Sequence, residues 1–212
     1  MLCDRFRDFF TGKVRTIAQT VANHLAMRAT MPLDVTFSTP LSFNQFDVIS
    51  DNDVKRIIDA CPLKTSPLDF VATSLLKECS DVFSGLICRL ANLSFAEGVF
   101  PDIFKSGQIT PLIKKSGTDV TDPANYRPIT NLNTIGKIVE RLAQQQLRKH
   151  LSTSSNYSTL QSAYRALHST ETAMTKVVND LLSAVDSGNP SVLLSLDISA
   201  AFDTLNHDQL LQ

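Results

Sequence analysis

The chain has 212 residues, enough to bury a sizeable core in one domain, or in one domain plus an appendage. Apolar residues make up 43% of it, which excludes wholesale disorder, and no apolar run approaches the roughly 20 residues of a membrane span. The net charge of −1 hides an asymmetry: residues 105–165 hold nine Lys/Arg against three Asp/Glu, and the remainder holds 11 against 18. A basic middle in an acidic chain suits a module that meets phosphate, and suits equally a solvated helix face followed by a loop.

In chain order, Leu2, Phe6, Phe9, Phe10, Val14, Ile17, Val21 and Leu25 recur at steps of three and four, which predicts one amphipathic helix. The N-terminus carries an early acid and no long apolar stretch, so it does not read as a secretory signal. Residues 29–46, with Pro32 and Pro40, read as a linker. Ser50 to Asp53 is a capping-box-like start, followed by Val54, Ile57, Ile58 and Cys61 on one face, with Pro62 as the stop. Lys64–Asp69 reads as a loop. A single long helix is expected over about 71–97, its stripe running from Leu75 to Leu93 and Gly98 ending it.

Gln108–Lys114 is a short strand candidate that Pro111 confines to an edge or bulge, and Lys115–Asn125 is a polar loop. Asn131 or Asn133 caps a helix to about Leu151, with Ile135, Ile138, Val139, Leu142 and Leu147 inward. Ser152–Thr159 is a loop. Ser169 caps a helix that carries Met174, Val177, Val178, Leu181, Leu182 and Val185 and stops at Gly188. The apolar run 191–198 predicts a strand buried on both faces. The chain thus reads as helix-rich with two strands, the second built for a sheet whose other members are not all present. Cys3, Cys61, Cys79 and Cys88 form no C-x-x-C pair and read as reduced core thiols without a disulfide partner. That use of cysteine places the chain in the cytoplasm or nucleus, not outside the cell.

Three clusters carry chemistry. Asp197 ends the terminal apolar run beside small residues, which suits either a metal-binding carboxylate at a strand end or the cap of a following helix. Lys114, Lys115 and Gly117 precede a loop that leads to Arg127 and Pro128. If the flanking segments pair, a lysine point charge and an arginine fork lie close together, as a triphosphate or template backbone requires. Unrelated surface charges are the other reading. Gln161, Tyr164 and Arg165 combine hydrogen bonding, stacking and charge, the mixture used on single strands.

Taken in order, the segments KTSPLDFVATSLLKEC (64–79), GVFPDIFKSGQITPLIKKSG (98–117), NYRPITNLNTIGKIVERL (125–142), QSAYRALHSTETA (161–173) and LLSLDISAAFDTLNHDQLL (193–211) resemble the reverse transcriptase of non-LTR, LINE-type retrotransposons, in the jockey and chicken-repeat branch. The resemblance covers about residues 48–212. It implies an α+β architecture: the helix-rich fingers and first palm strand of a right-hand polymerase, with an incomplete palm and no thumb. The implied division is an N-terminal helix and linker at 1–46, a helical segment at 47–104, fingers at 105–190 and the start of the palm at 191–212. Asp197 would be the first catalytic metal ligand, with the Ile198 carbonyl also facing a metal. Phe202 would lie under the incoming sugar, and Lys114, Lys115 and Arg127 near its triphosphate. Gln161, Tyr164 and Arg165 would lie near the template.

The implied cofactor is Mg2+, and the implied partners of the full-length parent are an RNA template, a DNA primer and dNTPs, with no membrane. Leu160 stands where the family commonly has Phe, Leu167 where it commonly has Gly, and Asn206 where it often has Asp. The family's Asp-Asp motif lies beyond Gln212, so the expectation for this chain is no polymerase activity. The alternatives are a non-catalytic nucleic-acid-binding remnant and a degenerate relic of an element.

Overall fold

The computed structural model describes residues 2–27, 42–198 and 201–205, with the side chains of 24–27, 202 and 203 excepted. By contact the chain divides into two units. The first holds the opening residues of α1 (Leu2–Met27) and the elements from α2 to α5; the second holds the rest of α1, the segment from Ser155 onward, and helices α6 and α7.

The first unit is organised by its helix starts. Ser50 opens α2 (Asp51–Ala60): its hydroxyl accepts from the Asp53 amide at 3.3 Å, and the Asp53 carboxylate accepts from the Ser50 amide at 3.0 Å. This reciprocal pair satisfies two donors that a helix start otherwise leaves orphaned. The Ser50 hydroxyl and amide also hold the Asp53 carboxyl below the usual carboxylate range. Val54, Ile57 and Ile58 then pack with Leu76, Ile87, Cys88, Ala91, Ile138, Val139 and Leu142 in one core.

The long helix expected over 71–97 is two helices, α3 (Thr73–Glu78) and α4 (Ser80–Glu97), separated at Cys79 with φ −106° and ψ 32°. The break goes with contacts that α3 makes back to the end of α2 and the loop after it. The Lys77 ammonium donates to the Asp59 and Cys61 carbonyls at 2.7 and 2.8 Å, and the Thr73 hydroxyl donates to the Lys64 carbonyl at 2.9 Å. These anchors fix α3 against the end of α2. Of the predicted stripe, Leu76 and Ile87 are buried, Cys79, Phe83 and Leu90 are half-buried, and Leu75, Val82, Leu86 and Leu93 are exposed; Cys88 and Ala91, outside it, are buried. Gly98 ends α4 in the left-handed conformation at φ 65°, as predicted.

Part of the predicted linker is packed. Phe46 stacks on Phe95 at 4.5 Å, and Phe43 meets Phe46 edge-on at 4.9 Å. The Gln146 amide pairs with both main-chain groups of Asp47, at 2.7 and 3.0 Å, as a strand neighbour would. Residues 29–41 of that linker lie outside the described residues.

After a 3-10 turn at Asp102–Phe104, β1 (Gly107–Ile113) pairs antiparallel with β2 (Tyr126–Leu132), from Gly107 opposite Leu132 to Ile113 opposite Tyr126. The strand at β1 is the one expected; β2 is a strand that periodicity alone passed over. Pro111 lies opposite Pro128. Neither has an amide to donate, which a two-stranded ribbon tolerates at a pair whose N–H groups point outward.

Asn133, and not Asn131, caps α5 (Thr134–Thr153), accepting from the Ile135 and Gly136 amides at 2.9 and 3.2 Å. Leu147, expected inward, is partly exposed.

In the second unit Ser169 caps α6 (Thr170–Asp186) in a reciprocal box with Thr172, and Gly188 follows as the stop. The strand expected at 191–198 is absent. The segment has no regular structure, and its apolar residues are exposed, Val192 by 93% and Leu196 by 83%. An extended segment becomes a strand through a pairing partner, and among the described residues the only sheet is the β1–β2 ribbon. A short helix α7 (Ala201–Thr204) follows. Of the four cysteines expected in the core, Cys61 and Cys88 are buried, Cys79 is half-buried and Cys3 is exposed; all four are free thiols. No helix among the described residues is long and apolar enough to cross a membrane.

Candidate nucleic-acid interface

The ribbon register places the basic residues. Opposite partners on an antiparallel pair share a face, and alternate residues on one strand share it too. Arg127 is opposite Leu112, and the Lys114 amide extends the ladder by donating to the Asn125 carbonyl at 2.8 Å. Leu112, Lys114 and Arg127 therefore lie on one face, with Lys115 at the start of the connecting loop. Lys114, Lys115 and Arg127 are all exposed, and none makes an ion pair with a described residue. The Lys114 ammonium donates to the Ala124 carbonyl at 2.6 Å, which holds its charge over the base of the loop.

That loop, which reads simply as polar in sequence, is built by its own side chains. The Asp119 carboxylate accepts from the Thr121 amide and hydroxyl, each at 2.8 Å, and these bonds hold it below the usual carboxylate range. Asp122 accepts from the Ala124 amide at 2.9 Å. The Tyr126 hydroxyl donates to the Val120 carbonyl at 2.9 Å, and the Phe6 ring of α1 meets the Tyr126 ring edge-on at 4.9 Å.

Sequence reasoning missed Asp69. Its carboxylate accepts from the Thr134 amide at 2.6 Å, from the Thr134 hydroxyl at 2.8 Å and from the Ser66 amide at 2.6 Å. Asn133 donates to the Leu68 carbonyl at 2.8 Å. The 64–69 loop thus clamps the junction where β2 becomes α5, and so sets where the ribbon leaves the helical core. An Asp two residues after a proline in a polar loop is a ready acceptor, but nothing local names Thr134, 65 residues on, as its partner.

The second cluster lies in the other unit and is described by itself. The Arg165 guanidinium sits over the Tyr157 ring at 5.8 Å and donates to the Thr159 carbonyl at 3.1 Å. Gln161 reaches the Ala163 carbonyl only at 3.5 Å, and Tyr164 is exposed. The loop turns through two non-glycine residues at positive φ, Tyr164 at 60° and Leu167 at 63°. Leu167 is fully exposed. The left-handed conformation costs a side chain roughly 1–2 kcal/mol, and at Leu167 it falls where the resembled family commonly has Gly.

Asp197 and Ile198 are exposed, in the segment without regular structure. The Phe202 side chain lies outside the described residues, as do Asn206, His207 and Asp208. Among the described residues no three His, Cys, Asp or Glu side chains converge as metal ligands. A single exposed carboxylate is too few donors for a divalent ion, so the described residues do not by themselves fit one.

Residues 113–212 match the family profile described as Reverse transcriptase (RNA-dependent DNA polymerase). Among curated proteins, the chain is 31% identical over 175 residues to the RNA-directed DNA polymerase from mobile element jockey of Drosophila melanogaster, covering 82% of this chain and 18% of that protein. It is 27% identical over 206 residues to the probable RNA-directed DNA polymerase from transposon X-element of the same species, 97% of this chain and 21% of the relative. A third relative, from transposon BS, is 28% identical over 207 residues, 92% of this chain and 23% of that protein. The chain spans about a fifth of the length of the relatives it matches. Residues 113–212 thus belong to the reverse transcriptase family, and the chain is a relative of the RNA-directed DNA polymerases of non-LTR mobile elements of the jockey type.

Proposed function

We propose that these residues supply the nucleic-acid and nucleotide contacts of the fingers in an RNA-directed DNA polymerase that copies RNA into DNA. Residues 105–190 serve as fingers and 191–212 as the start of the palm. The observation that carries the reading is the ribbon: Lys114, Lys115 and Arg127 gather on or beside one exposed face and have no carboxylate partner among the described residues. Lysine offers a point charge and arginine a planar fork, and together they suit the oxygens of a triphosphate or of a strand backbone. Gln161, Tyr164 and Arg165 contact the template, and Phe202 the incoming sugar. Asp197, with the Ile198 carbonyl, contributes to a Mg2+ site that other carboxylates of a whole polymerase complete. For the polypeptide of these 212 residues the expected outcome is nucleic-acid binding without dNTP incorporation, because the resemblance assigns a metal-binding role to one carboxylate, Asp197, and a two-metal site needs more.

Filter binding of the purified chain to a single-stranded RNA tests the reading. Affinity should fall steeply with salt and drop when Lys114, Lys115 and Arg127 are replaced together by alanine. Absence of binding at low salt, or binding indifferent to the triple replacement, would refute it. Magnesium-dependent dNTP incorporation on a primed RNA template would refute the inactivity of the isolated chain.

A further inference from the structure

Helix α5 has a second side that the reading above does not use. Ile138, Val139 and Leu142 are buried in the core. Lys137, Arg141, Gln144 and Arg148 follow one another at steps of four, three and four, so they form one stripe away from that core. Arg141, Gln144 and Arg148 are exposed and Lys137 is half-buried. At 1.5 Å per residue the stripe runs about 16 Å from Lys137 to Arg148.

Four other cations of this unit have a carboxylate partner close by. Lys55 pairs with Asp81, Arg56 with Asp53, Lys105 with Asp102 and Arg7 with Asp4. Among the described residues Lys137, Arg141 and Arg148 make no ion pair. Glu140, on the flank of the stripe, is exposed and pairs with none of them.

A further cation stands beside them. The Arg141 guanidinium donates to the Cys61 sulfur at 3.7 Å, and the Lys77 ammonium donates to the Cys61 carbonyl at 2.8 Å. Two positive side chains thus meet at one residue, held by a thiol and carbonyls, with no described carboxylate in ion-pair range. Like charges held together at a surface repel, and an approaching polyanion offsets that cost.

We infer that the α5 stripe, with Lys77 beside it, is a second nucleic-acid contact: a track for the phosphodiester backbone of one strand. The arginines bind phosphate through forks, Lys137 through a point charge, and Gln144 adds a hydrogen-bonding amide. One strand of a duplex presents a phosphate about every 3.4 Å of axis, so roughly 16 Å spans about five phosphates. Contacts of this kind position a strand and read no base. The inference rests on the proposal that this chain binds nucleic acid, but uses none of the ribbon residues.

The test measures the salt dependence of binding of the full 212-residue chain to a 20-nucleotide oligouridine and to the DNA strand of the same length. The α5 triple K137Q/R141Q/R148Q is compared with the ribbon triple K114Q/K115Q/R127Q. Glutamine removes charge and keeps helix propensity. Each single-strand phosphate contact contributes about 0.7 to the log–log salt slope, so the α5 triple should flatten it by about 2 on both RNA and DNA. If losing the Arg141–Cys61 contact unfolds the triple, as circular dichroism would show, K137Q/R148Q should still flatten the slope by about 1.4.

An unchanged slope in the α5 variants, with a flattened one in the ribbon triple, overturns this inference and leaves the proposed function standing. A flattening confined to RNA overturns it as well, because phosphate contacts do not read the sugar. No binding by the unaltered chain overturns both readings.

Discussion

Helices α5 and α6 are similar in their own sequences and different in what they bury. Each is opened by a side-chain cap, Asn133 or Ser169, and each carries an apolar stripe. Yet α5 buries Ile138, Val139 and Leu142 almost completely, whereas no residue of α6 is buried and Met174, Val178, Leu182 and Val185 are exposed. A cap and a 3.6-residue period establish that a helix forms and which side is apolar. Whether that side contributes to stability depends on another element meeting it, and within its unit α5 has α2 and α4.

The strongest way to break the comparison is to truncate one leucine in each helix. Leu142→Ala should cost about 2–5 kcal/mol in urea unfolding, because it leaves a cavity among packed neighbours. Leu182→Ala should stay within about 0.5 kcal/mol, as exposed substitutions do. Equal losses would mean that α6 is covered in solution and that its exposed stripe is not the working state.

The next contrast is between a junction that is clamped and one that is strained. Asp69→Ala removes the acceptor for the Thr134 amide and hydroxyl and for the Ser66 amide. The expected loss is about 1–3 kcal/mol, with faster hydrogen exchange at the Thr134 amide. Unchanged exchange would show that the β2–α5 junction holds without its clamp. Leu167→Gly should act in the opposite direction. It relieves a left-handed residue that costs roughly 1–2 kcal/mol, offset in part by the greater freedom of glycine in the unfolded chain. A net gain of about 0.5–1 kcal/mol in thermal unfolding is expected, and a loss would contradict the strain at φ 63°.

These cases also show what the sequence made legible. Caps were legible because they are local: Ser50 with Asp53, Gly98, Ser169 and Gly188 are all where their residue types require. The ribbon was legible once its two segments were taken as a pair, since alternation then puts Lys114 and Arg127 on one face. What was not legible depends on contacts far apart in sequence. The break at Cys79 goes with Lys77 reaching back to α2, and the clamp with Asp69 reaching forward 65 residues to Thr134. Residues 191–198 failed in the other direction. An apolar run states that burial is wanted, but the partner that would turn it into a strand is not among the described residues.

The smallest contrast separates two cysteines. Cys3 is exposed, whereas Cys88 is buried and donates to the Ile49 carbonyl at 3.1 Å. Burial, and then the neighbouring Asp51 carboxylate, push the Cys88 thiol up to about 11 from an ordinary value of 9.0. The sign follows from which state holds the proton. Between about 9 and about 11 the unfolded chain releases it while the folded chain keeps it, so ionisation draws on the unfolded state alone. The stability due to this thiol is therefore whole below pH 9 and is lost as the pH rises toward 11. Lysines and tyrosines titrate in the same window, so the informative quantity is the difference between the unaltered chain and Cys88→Ala. Urea midpoints of the two should lie a constant distance apart from pH 7 to 9 and converge above it. At pH 8 a thiol alkylating reagent should modify Cys3 and spare Cys88. Parallel midpoints to pH 11, or equal modification of the two thiols, would show that the contact between α4 and Ile49 opens readily.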